Sequence, residues 1–332
     1  MNGPSADRPT GAGPVAGVAE PVARDVLRIC APNPSPMTLS GTNSYLVGSG
    51  SARALIDPGP DDAAHRAALR ASLPPGTRIE AILVTHAHRD HSAGAGALAR
   101  EWGAPVLAFG RCCAGRSPTM AALAAAAGGT GGPAGEGAGT MLGGGEGVDR
   151  GFAPDRMLAD GEDLAGAGWR LTALHTPGHM GNHLSFEMDG LLFTGDLALA
   201  EITTVISPPD GDLVQFLDSC RRLAARGRRR LLPGHGPAVA DGRTRLTALA
   251  AHREARSGEI LAALEARGPA TARELAERIY AGLGPGLLPA AARTVLAHLI
   301  ALAETGAVTA NGPPSPTARF AVTRARNAPL AP

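Results

Sequence analysis

The chain contains no lysine: all 31 of its basic residues are arginine. Aromatic residues are nearly as scarce, at 3%. A core made from this sequence must therefore be built of Ala, Leu and Val, and the 44% hydrophobic content suffices for a large one. With 45 Gly and 28 Pro, this composition reads as the mark of a GC-rich bacterial genome rather than of function. The four cysteines show no CxxC spacing, and adjacent Cys112 and Cys113 are poorly placed to bridge each other. A reduced, cytoplasmic setting with free or buried thiols is expected. The net charge of +1 offers no global field for nucleic acid, though it does not exclude a local basic patch. Residues 1–23 lack an apolar h-region, so no signal peptide is expected. No run approaches the ~18 apolar residues of a membrane span, so no membrane partner is expected.

At 332 residues the chain is long for one compact domain, and a large domain with a smaller companion is expected. Short apolar runs predict strands at Asp25–Ile29, Ser44–Gly48, Ala52–Ile56, Ile79–Val84, Pro105–Phe109, Trp169–His175, His183–Met188, Leu191–Thr194 and Arg229–Leu232. Helical patterns lie between some of them, at Asp61–Ser72, Ser92–Trp102 and Asp210–Arg226, with Asp61, Ser92 and Asp210 as suitable N-caps. This interleaving predicts a layered α/β domain over residues 24–243, preceded by a disordered tail at 1–23. The Gly-rich stretch 128–151 is expected to be a flexible surface insertion, with a lid over the site as the alternative. After residue 243, Thr244–Arg267, Thr271–Ala281 and Pro289–Thr305 read as amphipathic helices, followed by two short strands. Three helices and a hairpin is the order of a winged helix, expected over 244–325. Thr271 and Glu274 form a capping-box pair.

The densest chemistry lies in Thr85-His86-Ala87-His88-Arg89-Asp90-His91, directly after an apolar run. Alternate residues on an extended chain face the same side, so His86 and His88 can grip one ion. Asp90 and His91 lie past the turn and can face a second. Imidazole with carboxylate suits Zn²⁺, Fe or Mn²⁺. Three more candidates follow strands on Gly-containing turns: His179 in TPGH, Asp196 in TGD and His235 in PGHG. Strand ends are where rigid scaffolds present functional groups.

The motifs HxHxDH, TPGH, GD and PGHG, in that order, resemble the metallo-β-lactamase-fold hydrolases over residues ~25–240. The resemblance implies a four-layer αββα sandwich with a two-metal site at one edge of its sheets. It would give His86, His88 and His179 to the first ion, and Asp90, His91 and His235 to the second. Asp196 would bridge both, and Asp57 and His183 would support the site from beside it. Zn²⁺ is the favoured ion, with Fe or Mn as alternatives. The expected mechanism is attack by a hydroxide held between the two ions, with Asp90 orienting it. His175 and His183 are candidates for a proton donor. Zinc β-lactamases place a cysteine on the second metal. The aspartate here points away from β-lactams and towards ester, thioester or phosphodiester cleavage.

A finer resemblance starts at Asn33-Pro34-Ser35-Pro36-Met37-Thr38-Leu39-Ser40-Gly41-Thr42-Asn43. It is similar to a subgroup that includes a mitochondrial lactamase-like endoribonuclease with a C-terminal winged helix. Single-stranded RNA is thus one expected substrate, with phosphate contacts from Arg253, Arg256, Arg267, Arg273, Arg278, Arg293 and the Arg228–Arg230 run, although these read more readily as solvated faces. A small-molecule ester or thioester, as for glyoxalase II, is the other. A winged-helix nucleic-acid-binding regulator is the non-enzymatic alternative, and a homodimer is an open expectation.

Overall fold

The computed structural model describes residues 13–126, 147–284 and 286–323. Its elements, in chain order, are β1 (Ala19–Ala23), β2 (Val26–Cys30), β3 (Asn43–Val47), β4 (Ala52–Ile56), α1 (Ala63–Ala71), β5 (Arg78–Leu83), α2 (Arg89–Ser92), α3 (Ala95–Trp102), β6 (Val106–Ala108) and α4 (Pro118–Ala126). There follow β7 (Arg156–Met157), β8 (Glu162–Gly166), β9 (Trp169–His175), β10 (Leu184–Met188), β11 (Leu191–Gly195), α5 (Leu213–Ala225) and β12 (Arg230–Pro233). The C-terminal part contains α6 (Gly242–Arg267), α7 (Ala272–Ile279), α8 (Leu288–Glu304), β13 (Val308–Ala310) and β14 (Phe320–Val322).

Two sheets lie face to face. The first has seven strands in the order β1 to β7, and the second has five in the order β12-β11-β10-β9-β8. In the first sheet β1 to β4 are antiparallel and β4 to β7 parallel. In the second, only the β11–β12 pair is parallel. Strand alternation divides each sheet's residues between two cores. In β4, Ala54 and Ile56 face the inter-sheet core with Tyr45, Phe186 and Phe193, whereas Leu55 faces outward with Leu69 of α1 and Leu98 of α3. On the outer face of the second sheet, Leu174, Leu192 and Leu231 meet Phe216 and Cys220 of α5. The result is the αββα sandwich. Inside it the scarce aromatics are concentrated, with the rings of Tyr45 and Phe193 meeting edge to face at 5.1 Å.

The C-terminal helices and the β13–β14 hairpin form a winged helix around a core of their own. The expected capping box is present, with the Thr271 side chain on Glu274 N–H and the Glu274 side chain on Thr271 N–H. The two units are sewn together. Leu246 and Leu249 of α6 pack on the sandwich, while Ile260 and Leu264 of the same helix belong to the C-terminal core. Met120 and Leu123 of α4 also join that core.

Several expectations are corrected. A disordered tail does not reach residue 23, because β1 pairs with β2; residues 1–12 lie outside the described residues. Residues 128–146 of the Gly-rich stretch also lie outside them. Its last five residues are tied down: Val148 is buried, Arg89 N–H donates to Gly147 O at 2.6 Å, and Asp149 N–H to Ala87 O at 2.8 Å. The Asp61–Ser72 helix is capped by Asp62, whose side chain accepts from His65 N–H, and the Asp210–Arg226 helix by Asp212. Ser92 ends α2 rather than opening the next helix. The break falls near Gly94, where a Cβ would lie 2.9 Å from Pro58 O and 3.1 Å from both Gly59 O and Pro60 O, so only glycine fits. Among the described residues all four cysteines are free, and no helix is long and apolar enough to cross a membrane.

Candidate metal centre

Five strands end at one edge of the sandwich, and each delivers a polar side chain there. Asp57 follows β4, His86 and His88 follow β5, and His179 lies on the loop after β9. Asp196 follows β11 directly, and His235 follows β12. Asp90 and His91 lie in the first turn of α2, where the chain turns back from β5.

These side chains form two adjoining groups: His86, His88, His179 and Asp196, then Asp90, His91 and His235. Within each group the ligand atoms lie within 4.8 Å of one another. His88 Nδ1 approaches His86 Nε2 at 2.8 Å and His179 Nε2 at 3.0 Å. His91 Nε2 lies 3.3 Å from His235 Nε2, and both lie 3.3–3.4 Å from Asp90 Oδ2. Asp196 spans the groups: its Oδ1 is 3.4 Å from His91, and its Oδ2 is 3.3 Å from His235 and 3.6 Å from His179. A tetrahedral ion with bonds of about 2.0–2.1 Å has ligand edges of about 3.3 Å, so these spacings fit divalent ions. Asp196 Oδ1 is buried with no hydrogen-bond donor, as an oxygen facing a cation would be. The backbone makes room as well: a Cβ on Gly234 would lie 2.6 Å from Asp196 Oδ1 and 2.7 Å from His91 Cε1.

The outward nitrogens of His91, His179 and His235 are fixed, which sets the tautomer that turns a lone pair inward. His91 Nδ1–H donates to Asp57 Oδ2 at 2.8 Å, and His179 Nδ1–H to Val205 O at 2.8 Å. His235 Nδ1–H donates to Gly41 O at 3.2 Å. Asp57 also accepts from Thr85 N–H at 2.8 Å and from Thr85 Oγ1 at 2.9 Å. It adopts φ +52°, a left-handed conformation that aspartate and asparagine accept more readily than other non-glycine residues. His183 accepts Asp196 N–H on Nε2 at 3.2 Å, and its Nδ1 meets Thr176 Oγ1 at 2.9 Å. Asp57 and His183 thus both hold site residues in place.

Charge is arranged around the same point. Burial pushes His86 well below its ordinary range, takes His88 down to about 3 and lowers His179, so all three stay neutral. Burial also opposes charge on His91 and His235, but the nearby carboxylates outweigh it and raise both. Asp90 and Asp196 resist burial likewise: His91 and His235 hold them low. A pair of buried carboxylates drawing protons onto neighbouring imidazoles is a site that calls for cations.

The two candidate proton donors do not reach the cavity. The His175 ring stacks on Phe109 at 3.7 Å, and its Nε2–H donates to Gly181 O at 2.8 Å. The buried Nε2 of His183 is occupied by Asp196 N–H, and burial holds the ring neutral. Several of the arginines expected to contact phosphate are engaged within the protein. Arg253 is 2% exposed and bonds Thr204 O, while Arg256 pairs with Glu259 at 2.7 Å and lies over the Tyr280 ring. Arg229 pairs with Glu187 at 2.7 Å.

Sequence reasoning missed three sets of contributors. Thr42, in the Asn33–Asn43 segment, donates to Asp90 Oδ2 at 2.9 Å, and Asn33 holds Thr42 through two further bonds at 2.9 Å. The loop after Asp196 forms a wall of the site and is held by the C-terminal helices. Arg245 donates to Leu199 O and Ile202 O at 2.7 and 2.8 Å, Arg253 donates to Thr204 O, and Ile206 N–H donates to Thr294 Oγ1 at 3.4 Å. Thr204 Oγ1 in turn meets His179 Nδ1 at 2.9 Å. Arg293 of α8 lines the cavity itself. The sequence offered Arg293 only as one of several scattered arginines, with nothing to place it at this cavity.

The cavity over the centre encloses about 280 Å³. His88, Asp90, His179, Asp196 and His235 form its floor, and Met37, Val148, Leu199 and Ile202 its apolar wall.

Comparison with known proteins agrees with this geometry. Residues 37–235 match the metallo-beta-lactamase superfamily, and residues 271–313 match the beta-lactamase associated winged helix domain. A beta-lactamase-like protein 2 homolog of Drosophila melanogaster is 30% identical over 294 residues, covering 85% of this chain and 88% of the relative. An atrochrysone carboxyl ACP thioesterase of Aspergillus fumigatus is 29% identical, covering 80% of this chain and 75% of the relative. The crystal structure of a metallo-beta-lactamase family protein from Thermus thermophilus superposes with a TM-score of 0.70 at 30% identity, covering 91% of this chain and all of that one.

Proposed function

We propose that this chain, which belongs to the metallo-beta-lactamase superfamily and is a hydrolase, cleaves a small acyl thioester or ester at a centre of two divalent ions, with Zn²⁺ favoured over Fe or Mn. His86, His88 and His179 would hold one ion, Asp90, His91 and His235 the other, and Asp196 both. Such ions supply Lewis-acid activation of water and of the bond under attack. Asp90, whose Oδ2 accepts from Thr42, would orient the attacking water and hold its proton. Asp57 and His183 would keep His91 and Asp196 aligned.

The cavity carries the choice of substrate. Its ~280 Å³ and apolar wall suit a short acyl chain. An RNA strand needs a basic track for its phosphates, and stacking rings beside it. Here Arg229, Arg256, Arg273 and Arg319 are paired with glutamates, and Arg253 is buried. The relative named as an ACP thioesterase points the same way.

Parallel assays of the metal-loaded protein on S-acyl glutathione and on single-stranded RNA test the reading. Thioester turnover without RNA cleavage is expected. RNA cleavage without thioester or ester turnover would overturn it.

A further inference from the structure

Arg293 is a cation of the cavity that no carboxylate among the described residues neutralises. It lies on α8, in the C-terminal unit, and lines the same cavity as His88, Asp90 and His235. Its Nε is buried without a partner, and among the described residues its guanidinium makes no hydrogen bond or ion pair. The carboxylates that line the same cavity are committed elsewhere: Asp90 and Asp196 belong to the candidate metal groups, and Asp210 is paired with Arg116. A half-buried guanidinium is expensive to leave unmatched, and its planar fork suits a carboxylate or phosphate held in two-point contact. The neighbouring wall, from Met37, Val148, Leu199 and Ile202, is apolar.

We propose that Arg293 is a specificity residue that binds an anionic group of the substrate, so that the preferred thioester or ester carries a carboxylate or phosphate some way from the bond cleaved. The inference rests on the hydrolase reading above, and it assigns the winged helix a part in substrate selection.

Two matched substrate pairs distinguish the source of the charge. S-glutaryl against S-pentanoyl N-acetylcysteamine places a carboxylate on the acyl side. Acetyl phosphopantetheine against acetyl pantetheine places a phosphate on the thiol side. The wild-type protein should prefer the charged member of one pair. Arg293→Gln should lower kcat/KM for that member by about 10–100-fold, mainly through KM, and change the neutral member by less than about twofold. Arg293→Lys should recover only part of the loss, because it keeps the charge without the fork. Equal losses on charged and neutral members, or no preference in the wild type, would overturn the proposal. Calorimetric titration with glutarate and with glutaramide keeps the two readings apart. If no thioester or ester is turned over, the function reading fails. The proposal for Arg293 then stands if glutarate alone binds and loses affinity about 10-fold or more in Arg293→Gln, and falls if it does not.

Discussion

Replacing Asp57 with asparagine should weaken one metal site while leaving the fold intact. The two side chains have the same shape, and asparagine tolerates the φ of +52° at this position. The difference lies in the proton inventory. Asp57 accepts three hydrogen bonds, from Thr85 N–H, Thr85 Oγ1 and His91 Nδ1–H, at 2.8, 2.9 and 2.8 Å. An asparagine must keep its oxygen opposite Thr85 N–H, or two donors would face each other. Its NH₂ then faces His91. His91 can respond in two ways: it can move its proton to Nε2, which points at Asp90 and Asp196, or it can keep the tautomer and lose a charge-assisted hydrogen bond. Either costs about 1.5–3 kcal/mol, or about 10–100-fold in affinity for the ion held by Asp90, His91 and His235. Competition between metal-free protein and a chromophoric chelator measures this. One site should weaken by that factor and the other change far less, with an unaltered circular dichroism spectrum. Two sites that both titrate within about threefold of wild type would refute the argument that Asp57 fixes His91.

Arg253→Met should destabilise the protein by about 2 kcal/mol in urea unfolding, because Thr204 O loses its charged donor inside the molecule. A stability within about 0.5 kcal/mol of wild type would show that this contact is idle. Acid should act through His65, which burial takes down to about 4 from an ordinary 6.5. Above pH 6.5 both folded and unfolded states leave it neutral, and stability is unaffected. As pH falls from about 6.5 to about 4, the unfolded state gains the proton first, and this residue alone should cost up to about 3 kcal/mol. The difference between wild type and His65→Gln, measured at pH 7.5 and pH 5, should grow by about 2 kcal/mol in favour of the variant. An unchanged difference would contradict it.

Much of the centre was legible because its chemistry is local. His86, His88, Asp90 and His91 crowd six residues, and His179, Asp196 and His235 follow strands that alternate or run apolar. What was hidden depends on contacts distant in sequence. The edge strand β8 has one buried side chain, Leu164, among its five residues, so alternation could not reveal it. The α4 segment is nearly all alanine and other apolar residues and has no polar face to mark it as a helix. Asp57 is expected beside the site only through the family resemblance, and its bonds to Thr85 and His91 appear once β4 and β5 are paired. Arg253 and Arg293 read as solvated helix residues, because nothing in α6 or α8 says which face meets the loop after Asp196. The finding that the C-terminal unit forms a wall of the active site therefore belongs to the tertiary structure alone.

The central claim is that seven side chains, carried beyond the ends of β5, β9, β11 and β12, hold two ions bridged by Asp196. Metal analysis of protein expressed with Zn, Fe or Mn in excess tests it directly, paired with the same analysis of Asp196→Ala. Wild type should carry about two equivalents per chain, and Asp196→Ala should carry fewer than about one and lose turnover, since the bridge serves both ions. Less than about one equivalent in the wild type, or an Asp196→Ala protein that keeps both ions and its activity, would contradict it.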